Sequence, residues 1–102
     1  MLELFIGYNY IRRNTCKIMK LYFIYGNKQK KKLAESDYVD DIYDVIISFF
    51  EDHNSFPHMI TLSRNQNDAK VEIPNTLEHF LVSDITDEQF EELSELVADY
   101  KR

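Results

Sequence analysis

The sequence predicts an α+β protein, a two-layer sandwich in which two amphipathic helices cover one face of a mostly antiparallel sheet of four or five strands. Apolar residues recur at steps of three and four in two segments, which is typical of helices that bury one face. They recur at every second position in other segments, which is typical of strands. A chain of 102 residues, 44% of them hydrophobic, suffices for a single domain, so we expect residues 1–102 to fold together in the order ββαβββα.

Two strands are predicted before the first helix. Residues 1–11 alternate between apolar and other side chains, and residues 16–25 are apolar on both faces, which favours a central position in a sheet. We expect the two segments to pair as a hairpin and the basic residues 26–32 to form a loop. An alternative remains for residues 1–18. Because the chain from Met19 resembles an ordinary protein start, these residues are either an edge strand or an N-terminal extension.

The first helix is predicted over residues 36–53. Ser36 is the expected N-cap, and aspartates follow it in the first turns, where the helix dipole favours negative charge. Phe56-Pro57 is expected to stop the helix, because the residue before a proline avoids helical backbone angles. Its apolar face consists of Val39, Ile42, Tyr43, Ile46, Phe49 and Phe50.

The second half of the chain predicts three short strands and a helix. Residues 58–64 and the pair Val71 and Ile73 are expected to form a hairpin around the polar residues 65–68, and residues 80–83 a further strand. Thr86 and Gln89 have the spacing of a capping box, which predicts the start of the second helix. The buried stripe of this helix is expected to contain Phe90, Leu93, Val97 and Tyr100.

The chain lacks the residues that several classes of function require. The chain has two glycines, too few for phosphate-cradling loops, and a single cysteine, Cys16, which cannot form an internal disulfide. His53, His58 and His79 match no metal-binding spacing. No apolar run has the length of a membrane span. We therefore predict a cytoplasmic protein that is not an enzyme, with no catalytic residues, no metal and no cofactor.

The charges are divided between the two ends of the chain. Residues 1–34 contain eight basic residues and one acidic residue, whereas residues 35–102 contain four basic and seventeen acidic residues, within a total net charge of −6. Most of the acids lie in or beside the predicted helices. The outward acids form the candidate partner-binding surface: Asp37, Asp41, Asp44, Glu88, Glu91, Glu92 and Glu95. The alternative is that these are ordinary solvated helix faces.

Two further sets of residues are candidates for contact surfaces. Lys28, Lys30, Lys31 and Lys32, with tyrosines just upstream, form an alternative phosphate-binding site for nucleic acid, or else a solvated loop. Aromatic residues make up 14% of the chain, and some of the tyrosines are candidates for an exposed contact surface or for half-buried positions at the edge of the core. These tyrosines are Tyr8, Tyr10, Tyr38 and Tyr100.

The leading functional hypothesis is a small acidic interaction protein that binds and inhibits a nucleic-acid-handling protein through a basic groove on that partner. Phage-encoded inhibitors, including some anti-CRISPR proteins and DNA mimics, act in this way, and the analogy rests on size, charge and missing catalytic motifs. The alternatives are a nucleic-acid-binding module that uses the basic stretch, which the acidic composition makes less favourable, and a small-molecule-sensing α+β domain with its site between sheet and helices.

Overall fold

The computed structural model describes residues 18–100, which form a five-stranded antiparallel sheet and two helices. The order across the sheet is β2-β1-β5-β4-β3. The predicted α+β class and the order ββαβββα are confirmed. In chain order, the elements are β1 Met19–Tyr25, β2 Gln29–Ser36, α1 Val39–Asp52, β3 Thr61–Asn65, β4 Asp68–Glu72, β5 His79–Ser83 and α2 Asp87–Ala98.

One face of the sheet and the inner faces of both helices share a single hydrophobic core. Phe80 on β5 lies at its centre, with its ring centroid 5.4 Å from that of Phe23 and 5.3 Å from that of Phe49. The strand register places Phe80 beside Phe23 on one side and Val71 on the other, so these side chains share the buried face. The helices contribute Val39, Ile42, Ile46, Phe50, Leu93 and Val97 to the same cluster.

The segment predicted as a basic loop is mostly a strand. Gly26 to Lys28 form a tight turn, and β2 begins at Gln29 and pairs antiparallel with β1. Gly26 and Lys28 adopt positive φ angles of 56° and 64°, which the chain reversal requires. The alternating apolar pattern is absent here because β2 is an edge strand with largely exposed side chains, and lysines on an edge discourage pairing with other chains.

The predicted central position of the strand over residues 16–25 is confirmed for its described part, β1. Both edges of β1 are paired, with β2 on one side and β5 on the other. The predicted hairpin with residues 1–11 lies outside the described residues, as do residues 1–17 of the possible N-terminal extension over residues 1–18.

The first helix starts later than predicted. Ser36 is the last residue of β2, where it pairs with Met19, and the N-cap of α1 is Tyr38, which makes no side-chain capping bond. The hydroxyl of Ser36 instead accepts a hydrogen bond from the Tyr38 amide at 3.0 Å and donates one to Asp41 at 2.7 Å. Ser36 has a local preference for the N-cap position, but it is paired with β1 as part of β2, and the helix therefore begins two residues later than that preference indicates.

The β3–β4 hairpin is tighter than predicted. Its strands pair from Thr61 opposite Glu72 to Asn65 opposite Asp68, which leaves a two-residue turn at Gln66 and Asn67. Gln66 has a φ of 57°, as short hairpin turns require. The predicted turn region was correct, but its outer residues belong to the strands.

The start of α2 confirms the predicted capping box. The Thr86 hydroxyl accepts a hydrogen bond from the Gln89 amide at 3.1 Å, and the Gln89 side-chain oxygen accepts one from the Thr86 amide at 2.9 Å. The side-chain nitrogen of Gln89 also donates to the Asp37 carbonyl at 3.3 Å. This cap therefore joins the start of α2 to the connection between β2 and α1.

We expect Thr86→Ala to lower the free energy of unfolding by about 1 kcal/mol, because the Gln89 amide loses its acceptor. Chemical denaturation followed by circular dichroism measures the change. Ser94→Ala, which removes a hydroxyl from an exposed position within α2, is the matched control. Equal stabilities for the two variants would show that the hydroxyl of Thr86 does not cap the helix.

Candidate functional site

The outer surface of the two helices is acidic. All seven acids of the predicted partner-binding surface are exposed, and neither α1 nor α2 contains a lysine or arginine. The helices pack against each other, and we call their outward acids together the acidic helix layer. Its members are Asp37 before α1, Asp41 and Asp44 on α1, and Glu88, Glu91, Glu92 and Glu95 on α2.

The carboxylates of this layer have no cationic partner within residues 18–100. The ion pairs found there join Lys32 to Glu35, Arg64 to Asp87 and Lys70 to Glu72. Asp41 accepts the hydrogen bond from Ser36, which is neutral. The described part of the chain therefore leaves the layer's charge unneutralised, and it generates a negative potential over one face of the protein.

The opposite face of the sheet carries part of the predicted basic site. Lys30 lies beside Ile24 and Lys32 beside Tyr22 in the register of β1 and β2, so both lysines share one sheet face. The Lys30 ammonium nitrogen lies 4.3 Å from the centroid of the Tyr22 ring, which is cation–π geometry. We call these residues, Tyr22, Lys30 and Lys32, the basic sheet face.

The structure does not bring all four predicted lysines together. Lys31 pairs with Phe23 and so belongs to the other side of β2, and Lys28 lies in the preceding turn. Lys32 forms an ion pair with Glu35. This hydrogen bond raises the pKa of Lys32 and lowers the pKa of Glu35. Because Lys32 is already partnered by a carboxylate, the basic sheet face is a weaker phosphate site than the sequence indicates.

The three histidines lie apart. His53 caps the end of α1, where its Nδ1 donates a hydrogen bond to the Phe49 carbonyl at 2.9 Å and its ring stacks on Phe49 with centroids 4.1 Å apart. His79 lies on β5 and His58 is exposed in the loop before β3. Within residues 18–100, no group of three or more His, Cys, Asp or Glu side chains has an arrangement that could hold a metal ion.

A cleft of about 380 Å³ lies where β1 and α1 end. Sequence reasoning did not find it, because its walls come from distant segments. Tyr25, which is 38% exposed, lines this cleft, and Tyr100 is 9% exposed, which agrees with its predicted place in the buried stripe of the second helix rather than in an exposed contact surface. The residues that line this aromatic cleft are Phe23, Tyr25, Phe49, Phe50, His53, Ser55, Pro57, Ile73, Thr76 and Glu78.

Comparison with known protein families, curated proteins and solved structures finds no match for this chain. Of the predicted exposed tyrosines, Tyr38 is 66% exposed beside the acidic helix layer, while Tyr8 and Tyr10 lie outside the described residues.

Neither helix in the described part of the chain has the length and apolar character that a membrane crossing requires.

Proposed function

We propose that this protein is a small non-enzymatic interaction protein that binds, and thereby inhibits, a nucleic-acid-handling protein. The observation that carries the proposal is the acidic helix layer, in which six exposed carboxylates lie on two helices that contain no basic residue and a seventh, Asp37, lies just before α1. Carboxylates spread over a rigid surface are complementary to a groove that ordinarily binds phosphates. In this proposal the protein acts as phage-type inhibitors and DNA mimics do, including anti-CRISPR proteins. We also propose that it acts in the cytoplasm, because a chain with a single cysteine forms no internal disulfide and so suits a reducing compartment.

The layer suits recognition by attraction at a distance. At physiological ionic strength, charges act over a screening length of about 8 Å, so a group of carboxylates attracts an approaching basic groove more than any single pair does. Tyr38 adds a large exposed aromatic side chain next to the acids, and aromatic residues of this kind often anchor protein interfaces. The carboxylates therefore orient the approaching partner, and Tyr38 adds contact area to the interface.

The acidic helix layer predicts a salt-dependent interaction. We expect the triple variant E91K/E92K/E95K to keep nearly the wild-type melting temperature, because single exposed charges contribute less than about 1 kcal/mol each. Its affinity for the partner should fall by at least tenfold at low salt, with a smaller difference at high salt. The partner is first captured from the source cells with the wild-type protein, and affinities are then measured by calorimetry across a salt series.

A matched control separates the layer from overall charge. The variant E35K/E72K/E78K reverses three exposed acids outside the helices and changes the net charge by the same amount. This control variant should bind the partner with close to wild-type affinity. In a separate competition assay, the nucleic acid that the partner normally binds should displace the wild-type protein from the partner. Equal losses in both triple variants, or wild-type binding without a salt slope, would contradict recognition by the acidic helix layer.

A second candidate function is direct nucleic-acid binding through the basic sheet face. The placement of Lys30 over the ring of Tyr22 favours it, since cationic and aromatic groups together bind backbone phosphates and stacked bases. The ion pair of Lys32 with Glu35 and the net charge of −6 oppose it. In this case the purified protein alone would bind a labelled single-stranded oligonucleotide, and reversal of the helix acids would strengthen that binding.

A further inference from the structure

The aromatic cleft has one wall made of stacked rings. Tyr25 and Phe23 are two residues apart on β1, and their rings stack with centroids 5.6 Å apart and planes 14° apart. Phe23 lies 4.4 Å from Phe49 on α1, and Phe49 lies 4.1 Å from the ring of His53 one turn further along the helix. These four rings form a continuous row in which Tyr25 and His53 are exposed, Phe49 is half-buried and Phe23 is buried, so a flat apolar ligand would contact mainly the outer rings.

The other lining residues come mainly from the loop after α1 and the connection between β4 and β5, which hydrogen bonds hold in place. The Tyr100 hydroxyl donates to the Pro57 carbonyl at 2.6 Å and so ties the loop after α1 to the end of α2. The Thr76 hydroxyl accepts a hydrogen bond from the Glu78 amide at 3.1 Å, which fixes the turn between β4 and β5. The cleft is therefore largely formed before any ligand arrives, which lowers the entropic cost of binding.

The charged side chain that lines the cleft is a carboxylate, that of Glu78. Glu78 is exposed and forms no ion pair with residues 18–100. Because a carbonyl can only accept, the Nδ1 of His53 is the donor to Phe49. A carboxylate beside aromatic rings is complementary to a positively charged donor.

We propose that the aromatic cleft binds a small aromatic ammonium compound, with its ring against the row of Tyr25, Phe23 and Phe49 and its ammonium group beside Glu78. A cleft of about 380 Å³ is at the small end of ligand sites, which suits a compound of one or two rings. Charge complementarity selects the cation over a neutral or anionic analogue of the same shape. The proposal is independent of the acidic helix layer, which none of the cleft-lining residues belongs to.

The test uses three probes of similar size: 2-phenylethylammonium, 2-phenylethanol and 3-phenylpropionate. Each is titrated into the full-length protein at one fixed pH and followed by NMR chemical shifts. We expect saturable shifts for the ammonium compound at Tyr25, Phe49 and Thr76, with a dissociation constant of about 1 mM or lower, as fragments of this size allow. The alcohol should bind at least about threefold more weakly and the carboxylate more weakly still.

The variant Glu78→Gln identifies the charged partner. It should weaken binding of the ammonium probe by about three- to tenfold while leaving the alcohol unchanged, since only the cation interacts with the carboxylate charge. Glu72→Gln is the control, because Glu72 is also exposed but lies outside the cleft. The triple variant E91K/E92K/E95K should bind the probe as the wild type does, whatever its effect on the protein partner.

Several results would overturn the proposal. In the titration, these are the absence of saturable shifts up to about 20 mM ammonium probe, shifts confined to residues outside the cleft, or equal binding of the cation and the anion. In the variants, the contradicting result is an effect of Glu78→Gln on probe binding that is no larger than that of Glu72→Gln. Tyr25→Ala provides a second variant at an exposed ring, and it should weaken the ammonium probe and the alcohol alike. Unchanged binding in Tyr25→Ala would also exclude the proposed ring contact.

Discussion

Replacing Phe80 with alanine is expected to lower the free energy of unfolding by about 3–5 kcal/mol. Phe80 is fully buried, and its ring contacts those of Phe23, Phe49 and Phe50 at centroid distances of 5.3 to 5.7 Å. Truncation removes apolar contact with both the sheet and α1 and leaves a cavity between them. Since small domains are stable by about 5–15 kcal/mol, most of the stability could be lost.

Urea denaturation followed by circular dichroism and tyrosine fluorescence measures this change. Leu77→Ala is the control for loss of a large apolar side chain, because Leu77 is 94% exposed and should tolerate truncation. If Phe80→Ala does not fold, Phe80→Leu retains part of the volume and should give a smaller, measurable loss. A stability of Phe80→Ala within 1 kcal/mol of the wild type would contradict a core centred on this ring.

Arg64→Ala is expected to cost about 2 kcal/mol, because this side chain fastens β3 to the start of α2. Its guanidinium donates to the Gln66 carbonyl at 2.8 Å, to the Ile85 carbonyl at 3.2 Å and to the Thr86 carbonyl at 3.4 Å. The guanidinium carbon also lies 5.1 Å from the centre of the Phe90 ring. A truncated side chain would remove the guanidinium donor from the Ile85 carbonyl and expose the Phe90 face, whereas the Thr86 carbonyl keeps its hydrogen bond from the Phe90 amide at 2.8 Å.

The ion pair of Arg64 with Asp87 is expected to contribute little, although its atoms are 3.1 Å apart, because the Asp87 side chain is fully exposed. Asp87→Ala should therefore cost less than about 1 kcal/mol. Arg64→Lys should recover little of the lost stability, since an ammonium cannot reproduce the fork of donors. Denaturation of both single variants and the double variant measures the coupling. A cost for Asp87→Ala as large as that for Arg64→Ala would show that the ion pair, rather than the carbonyl contacts, is the source of stability.

Features that depend on near neighbours in the chain were predictable. The helix over residues 39–52 was visible because its apolar residues recur at helical spacing, and the cap of α2 because Thr86 and Gln89 are three residues apart. The exposure of the acidic helix layer follows from the same spacing, since its members fall outside the buried stripes. Local geometry alone determines which side of a helix each residue occupies.

Features that depend on which segments meet were not predictable. The sequence pattern of β2 is a run of lysines with no apolar alternation, and the segment is a strand because β1 offers it an edge to pair with. The same pairing removed Ser36 from the predicted cap position. Arg64 resembles an ordinary strand residue until its contacts with Ile85 and Thr86, more than twenty positions away, are known.

By itself, the sequence determined the α+β class, the order of helices and strands, the cap of α2 and the acidity of the helices, because each follows from residue spacing within one segment. The tertiary structure alone decided the edge position of β2, the separation of the four lysines, the role of Arg64 and the aromatic cleft. The physical reason is that each of these depends on contacts between segments distant in the chain, and strand register and packing set those contacts.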